Sequence, residues 1–582
     1  MPKLLRGFGI IQTREKGGAP MATNSARGPL EGFFQYRERG SRLSDEIVAG
    51  LGMCVLAVCG MFMNMQLVAG IQMSGAYAEA SQAQVAANGE IIALTWFVSM
   101  VVAFAGSLVI GLVARLPLTQ VTSLGLSSVL ISLMGTAQGL TYYNVLFLSL
   151  LGSAGYAVLM GVAPLRRLVF RALPDPVRKA LPAAAGLLIA FVALQLSGLV
   201  SMNGTALASY GTGHILESAS DSVVMPSVVS WSDLGAGIDK YYPTLLLNAG
   251  AVVLAFVVFL VAKRRSRHPF GCALAVATVA FLVLSVLMVC VNWKGMRFSI
   301  DSLWARLWMA GSEDAMQFHL PVILSSLAPG KVLSEGSDFS AYVASGGNVI
   351  LLVVGTVATF MLVSFADAVS TVDAVCGSMR GGADPDGPDA RKALVVNAAT
   401  AVVAPLVGAS PVGIAKESYA AAEDHARTGL ASVVASLGFL VSAFVWVVPF
   451  FFVTVNSYDI TFNMVGHYGF VLQLLTECSF AVADAVMVLV GLNMAVGSLS
   501  LEWRKFSVAS AFLGTVAGTV FTGNLALGVA CGTFAYVVAE ASRKGKALER
   551  LGEEPSALKR IGVPTLVLFV VSVLVIGVNL FL

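Results

Sequence analysis

Residues 408–424 read GASPVGIAKESYAAAED and lie between two long apolar runs. Gly408, Pro411 and Gly413 break the stretch before a short helical segment that carries Lys416 and Glu417. Irregular backbone and ionisable groups at membrane depth are costly. They are tolerated where protein buries them or where they line a polar cavity. A second interrupted stretch, PLTQVTSLGLSSVL at 117–130, lies in the first half of the chain. Two broken segments at corresponding places in two hydrophobic halves point to a transporter-type binding site.

The composition agrees with a membrane setting. Of 582 residues, 57% are hydrophobic and 12% charged, with a mean hydropathy of +0.82. Soluble globular proteins do not have this composition, and a multi-span membrane protein does. A net charge of +3 gives no reason to expect nucleic acid as a partner. The seven cysteines are scattered through apolar runs without C-x-x-C spacing, so they read as small buried side chains and not as a metal site. Residues 1–44 are basic and polar and do not form a signal peptide. Met1 and Met21 are both plausible starts.

Apolar runs long enough to span a bilayer fall near 47–72, 91–114, 117–137, 142–165, 183–200, 241–262 and 268–292. The second half gives 347–372, 393–409, 411–424, 428–454, 479–499, 506–521 and 523–541, followed by 562–582. With the N-terminus in the cytoplasm, the outer loops hold Lys240, Lys294, Arg297, Arg306 and Lys331, and Lys416 lies inside a span. Every other one of the 36 Lys and Arg residues falls on the inner side, as the positive-inside rule requires. The rule also demands a break at Thr522-Gly523-Asn524, which returns the basic stretch 543–560 to the cytoplasm.

Seven spans are odd in number, so a second set of seven runs inverted. The expected fold is an all-α polytopic 7+7 inverted-repeat transporter with one extra C-terminal span. Its parts are a basic cytoplasmic tail (1–46), the first repeat (47–292), an outer loop (293–346), the second repeat (347–541), a basic linker (542–561) and the last span (562–582). Residues 166–182 read as a cytoplasmic amphipathic linker, and Trp231, Trp293, Trp304 and Trp308 as interfacial anchors.

Asp367, in the eighth span, shares a helical face with Ser370 and Thr371. It reads either as a proton carrier and ligand of a polar substrate, or as a structural helix–helix hydrogen bond. Asp373 reads as an exposed acid at a helix end. Glu417 stands at the start of a half-helix whose free backbone N–H groups suit a polar ligand. Lys416 either pairs locally or holds Glu417 ionised. Glu423, Asp424, His425 and Arg427 read as a solvated inner mouth, Asp484 as a weaker structural acid, and Asn64, Asn248, Asn397 and Asn493 as helix-packing amides. Hydrolase signatures, P-loops and zinc motifs are lacking in the sequence, which points away from an enzyme and from direct ATP drive.

Several stretches resemble a known family. FFQYRERGSRLSDEIVAGL (33–51), ALPDPVRKALPAAAGLLIAFVALQLSGLV (172–200), FADAVST (365–371) and GASPVGIAKESYAAAEDHARTGL (408–430) are similar to the AzgA-like purine permeases. These form a branch of the nucleobase:cation symporter-2 (xanthine/uracil permease) family. The resemblance runs with gaps from about 33 to 541. It implies a core domain and a gate domain, short β-strands before broken spans 3 and 10, and an elevator-like step. It implies proton-coupled purine uptake across the plasma membrane, with sodium as the alternative coupling ion. No cofactor is implied, and the implied partners are a purine-type nucleobase, the lipid bilayer and a second copy in a homodimer.

Carried over by position, Asp367 and Glu417 would bind base and proton, and Ser127, Ser370, Thr371 and Gly413 complete the implied substrate set. The chain departs from the family pattern at Asn64-Met65, Thr122, Ser127 and Ser370, and Lys416 replaces an apolar residue. Lys416 would therefore favour a more anionic substrate, such as an oxidised purine. An anion exchanger or channel on the same scaffold is the alternative. A non-transporting sensor would need a soluble output domain, and the longest soluble stretch is an outer loop.

Overall fold

The computed structural model describes residues 29–74, 82–123, 125–127, 129–130, 133, 140–196, 200–202, 226–228, 242–290, 329–379, 384–443, 470–497, 503, 505–543 and 561–581. The alternative starts, the four interfacial tryptophans, most of both outer loops and the basic stretch 544–560 lie outside them. So do the side chains of Asn64, Asn248 and Asp484.

The first half forms α1 (Pro29–Phe34), α2 (Leu43–Ser74), α3 (Gln82–Ala114), β1 (Gln120–Thr122), α4 (Tyr142–Gly161), α5 (Ala163–Ala172) and α6 (Asp175–Leu196). It continues with β2 (Val200–Met202), β3 (Pro226–Val228), α7 (Tyr242–Arg265) and α8 (Pro269–Cys290). After α9 (Pro329–Ser334) and α10 (Ser340–Ala344), the second half forms α11 (Val349–Ser378), α12 (Pro388–Ala401), α13 (Val403–Leu406), β4 (Val412–Ile414) and α14 (Ser418–Glu423). It ends with α15 (Gly429–Ala443), α16 (Phe470–Gly497), α17 (Phe506–Thr522), α18 (Leu525–Ala541) and α19 (Val563–Phe581).

Among the described residues, Leu43–Met61, Trp96–Ala114, Tyr142–Gly161, Asp175–Leu194 and Val349–Ser378 are helical, long and apolar enough to cross a membrane. The chain is an integral membrane protein built mostly of helices.

Local chemistry sets the helix ends. Asn348 caps α11 by accepting from Ile350 N and Leu351 N at 3.1 and 3.2 Å. Thr141 and Asn144 form a capping box on α4. Gly523, in the left-handed region at φ 64°, separates α17 from α18, and Asn524 caps α18 through Ala526 N at 2.9 Å. Gly408 turns the chain from α13 toward β4 at φ 87°, a conformation that only glycine adopts freely.

One local expectation changes. Residues 175–182 are not part of a linker but already belong to α6, with Asp175 in its first turn and Pro182 inside the helix. Helix α2 begins at Leu43, ahead of the expected span at 47. Glu46 is fully buried and accepts from Arg427 N, Thr428 N and Ala431 N at 2.8, 3.1 and 3.3 Å, so it caps the start of α15. The outer loop contains α9 and α10, and Asn144 Nδ2 ties it to α4 by donating to Gly336 O and Asp338 O at 3.1 and 2.7 Å.

The helices pack in two groups. One holds α2, α3, α4, α11, α12 and α15 around β1 and β4; the other holds α6, α7, α8, α16, α17 and α18, with α19 against α18. Helix α11 belongs to the first group and touches α6, α18 and α19 of the second. Within the second group α6 and α16 cross at Gly186 and Gly491. A Cβ on Gly491 would lie 2.1 Å from Gly186 O, and one on Gly186 would lie 2.5 Å from Gly491 O. The contact is reciprocal, and small residues are what permit such close helix crossing.

Gly491→Val is expected to destabilise the protein by about 3 kcal/mol or more through overpacking at this crossing. It should remove the monodisperse peak in detergent size-exclusion chromatography. Gly161→Ala, where a Cβ meets nothing within 4 Å, should elute as the parent protein does.

Candidate functional site

The two interrupted stretches meet. Strands β1 and β4 pair antiparallel, with Gln120 opposite Ile414, Val121 opposite Gly413 and Thr122 opposite Val412. Further bonds lengthen the ladder, from Ser123 N to Pro411 O at 3.0 Å and from Ala415 N to Thr119 O at 2.8 Å. Thr119 N donates to Ser418 Oγ at 3.1 Å. Gln120 is held on every side. Its N–H donates to Ser107 Oγ at 2.9 Å, its Nε2 to Asn397 Oδ1 at 2.9 Å, and its Oε1 accepts from Thr400 Oγ1 at 2.6 Å. Asn397 is thus a polar tie to β1 as well as a packing residue.

Asp367 of α11 faces this crossing and is 2% exposed. Its carboxylate forms an ion pair with the Lys416 ammonium. It also accepts a hydrogen bond from Ser123 Oγ at 3.2 Å. Gly413 lets the carboxylate approach the strand, since a Cβ there would lie 2.7 Å from Asp367 Oδ2. The structure therefore places Asp367, Lys416 and Gly413 together, and adds Ser123. The sequence signal for Ser123 was its position at the end of β1, before the helical residues 125–127.

Other expected ligands are placed differently. Ser370 Oγ and Thr371 Oγ1 donate to Asp367 O at 2.8 and 3.0 Å. They share the Asp367 face, but their hydroxyl protons serve their own helix. The N–H groups at the start of α14 are also engaged. Ser418 N, Tyr419 N and Ala420 N donate to Ala415 O, Lys416 O and Glu417 O at 3.2, 2.9 and 3.0 Å. The tight turn of the short half-helix uses the donors expected to meet a ligand. Ser127 N likewise donates to Ser123 O at 2.9 Å, while its buried Oγ has no partner among the described residues.

Glu417 is 6% exposed and stands before α14 without a side-chain cap bond. Among the described residues it makes no ion pair with Lys416. Its carboxylate lies against α2, where a Cβ on Gly60 would be 3.3 Å from Oε1. Near the crossing, the buried hydroxyls of Ser127 and Thr122 have no hydrogen-bond partner among the described residues.

Of the four groups read as a solvated mouth, Glu423 and His425 are partly exposed and the other two are buried. Asp424 and Arg427 are 3% and 6% exposed. Asp424 accepts from Phe270 N and Gly271 N at 2.9 and 2.7 Å at the start of α8. Arg427 donates to Ala422 O and Ala426 O at 2.6 and 3.0 Å. Asp373 is no exposed helix-end acid either, since Arg178 of α6 pairs with it at 2.9 Å.

The chain is similar over most of its length to purine permeases, which are transporters and not enzymes. It is 23% identical over 520 residues to the guanine/hypoxanthine permease PbuG of Bacillus subtilis, covering 89% of this chain and 96% of the permease. It is 24% identical over 426 residues to the adenine permease AdeP of Escherichia coli, with 72% and 76% covered. A second adenine permease of E. coli, AdeQ, is 21% identical over 518 residues, with 88% and 90% covered. No protein-family model matches. Among solved structures, the transmembrane domain of the cyanobacterial bicarbonate transporter BicA aligns with a TM-score of 0.40 at 14% identity, covering 85% of this chain and 97% of that one. SLC26A9 aligns with a TM-score of 0.42 at 12% identity, covering 88% and 68%.

Gly413→Ala is expected to push the Asp367 carboxylate off the strand and to cost about 1–3 kcal/mol by overpacking. A lowered unfolding temperature of the purified protein would register it. Gly377→Ala, on the same helix as Asp367 and with nothing within 4 Å of a new Cβ, is the control and should leave that temperature unchanged.

Proposed function

We propose that this chain is a secondary active transporter that takes up purine-type nucleobases across the plasma membrane, coupled to protons, with its N-terminus in the cytoplasm. The observation that carries the reading is the buried acid site at the β1–β4 crossing, in a chain similar to guanine/hypoxanthine and adenine permeases. Two strand-plus-half-helix segments meeting antiparallel are what an inverted 7+7 repeat produces at its pseudo-two-fold axis. The reciprocal Gly186–Gly491 contact between α6 and α16 supports the same axis. In this reading the group around α11 is the moving core and the group around α6 and α16 is the gate.

Glu417 is the residue for base and proton. It is buried, unpaired by Lys416 and positioned at a half-helix start, so a ring N–H of the base can donate to its carboxylate. Proton uptake there removes a buried charge, which gives the core a reason to move differently when loaded. Ser127 supplies an unused hydroxyl. Asp367 orients the crossing through Ser123 and Lys416.

The Lys416–Asp367 pair also bears on substrate charge. An ammonium already neutralised by a carboxylate gives little attraction to an anion, and Glu417 adds negative charge. This favours neutral bases of the adenine, guanine, hypoxanthine or xanthine type over an oxidised purine anion. It equally disfavours an inorganic-anion exchanger or channel, the reading that a free Lys416 would have supported.

Radiolabelled hypoxanthine uptake, competed by a panel of bases with and without a protonophore, tests the proposal. Purine competition and protonophore sensitivity are expected. Glu417→Gln should lower coupled uptake at least tenfold while still inserting. Wild-type uptake by that variant would remove the role of Glu417, and current carried without any base would favour the channel reading.

A further inference from the structure

Lys416 is a cation placed where it meets one particular carboxylate. It follows β4 by two residues, and the strand register fixes where its stem begins. Ala415 N bonds Thr119 O at 2.8 Å and Tyr419 N bonds Lys416 O at 2.9 Å, so the backbone on both sides is held. The ammonium reaches across to α11 and pairs with Asp367. Both residues are buried. Ser123 holds the other carboxylate oxygen at 3.2 Å. The neighbouring Glu417, one residue along the chain, makes no ion pair with that cation among the described residues.

A buried carboxylate is costly unless a counter-charge pairs with it or a proton neutralises it. In a cation-coupled carrier that charge can arrive with a bound ion; here it is covalently attached. We infer that Lys416 is a tethered counter-cation that fills the place of a coupling ion at Asp367, leaving Glu417 as the acid open to coupling among the described residues of the site. The inference rests on the transport reading for its meaning, while the pairing itself is tested without transport. The titratable groups around the pair among the described residues are Glu417 on the same segment and Tyr156 on α4, whose hydroxyl accepts from Asn397 Nδ2 at 3.5 Å.

The consequence is a cation requirement that appears when the ammonium is removed. The purified full-length protein is compared in sodium chloride and in choline chloride, at neutral and at acid pH, by its unfolding temperature. The parent protein should be indifferent to the choice of sodium or choline. Lys416→Met should unfold at lower temperature in choline at neutral pH, and sodium or acidification should restore it more than either affects the parent. The double variant Asp367→Asn/Lys416→Met should recover stability in choline and lose the cation response, because the carboxylate that lost its partner is gone.

A Lys416→Met protein as indifferent to cations as the parent overturns the inference. So does a double variant no more stable than the single one. Where Lys416→Met yields no folded protein, the double variant decides: its recovery supports the pairing role and its failure overturns it. In proteoliposomes, hypoxanthine uptake by Lys416→Met should become at least tenfold dependent on a sodium gradient or on a steeper proton gradient. Absence of base uptake by the parent would remove the purine reading and leave the stability result on Lys416 standing.

Discussion

A break in the backbone inside a membrane protein exposes N–H and C=O groups that hydrocarbon cannot satisfy. The β1–β4 pairing is this chain's answer to that constraint, and the site depends on it. Each break supplies the hydrogen-bond partners of the other, so neither broken segment is satisfied alone. Gln120 and Ser107 then bind the remaining strand edge, with Ser107 Oγ donating to Gln120 O at 3.0 Å and accepting from Gln120 N at 2.9 Å. Antiparallel pairing brings Ser123 and Gly413 side by side, and both face Asp367. A slip by one residue would turn every side chain of the strand to the opposite face and take Lys416 away from Asp367.

The ion pair follows from that register and changes the electrostatics of any motion. If the core shifts relative to the gate, Asp367 and Lys416 shift together as a neutral unit. Moving one uncompensated charge through a potential of 100 mV costs or yields about 2.3 kcal/mol. Pairing removes that contribution for Asp367 and leaves it with Glu417, whose charge a proton can cancel.

Part of this was legible in the sequence. Gly408, Pro411 and Gly413 betrayed the break, and acids inside apolar runs singled out Asp367 and Glu417. Pairing was not legible, because it depends on a strand register between segments 292 residues apart in the case of Val121 and Gly413. Ser370 and Thr371 show a different limit. The i+3 and i+4 spacing that puts them beside Asp367 also lets each hydroxyl reach the Asp367 carbonyl, and the local bond wins. Charge runs misled for a third reason. Asp424 and Arg427 look solvated in a one-dimensional reading, and both are buried because their partners are backbone groups that a sequence does not display.

Those buried inner contacts bear on how the two helix groups could separate. Asp424 of the first group caps α8 of the second at 2.9 and 2.7 Å, Asp45 of α2 pairs with Arg267 at 2.9 Å, and Asp373 of α11 pairs with Arg178 of α6 at 2.9 Å. All three lie on the side that the Lys and Arg distribution assigns to the cytoplasm. Any displacement of core against gate must exchange these bonds for water. Caps of this kind are worth about 0.5–2 kcal/mol each, and a partly exposed ion pair at most about 1 kcal/mol. Among the described residues His268 adds to them, with Nε2 3.4 Å from Asp45 and Nδ1 3.0 Å from Asp424 O, so contacts between the two groups gather at this end, whereas the ion pair and strand ladder of the crossing lie within the first group.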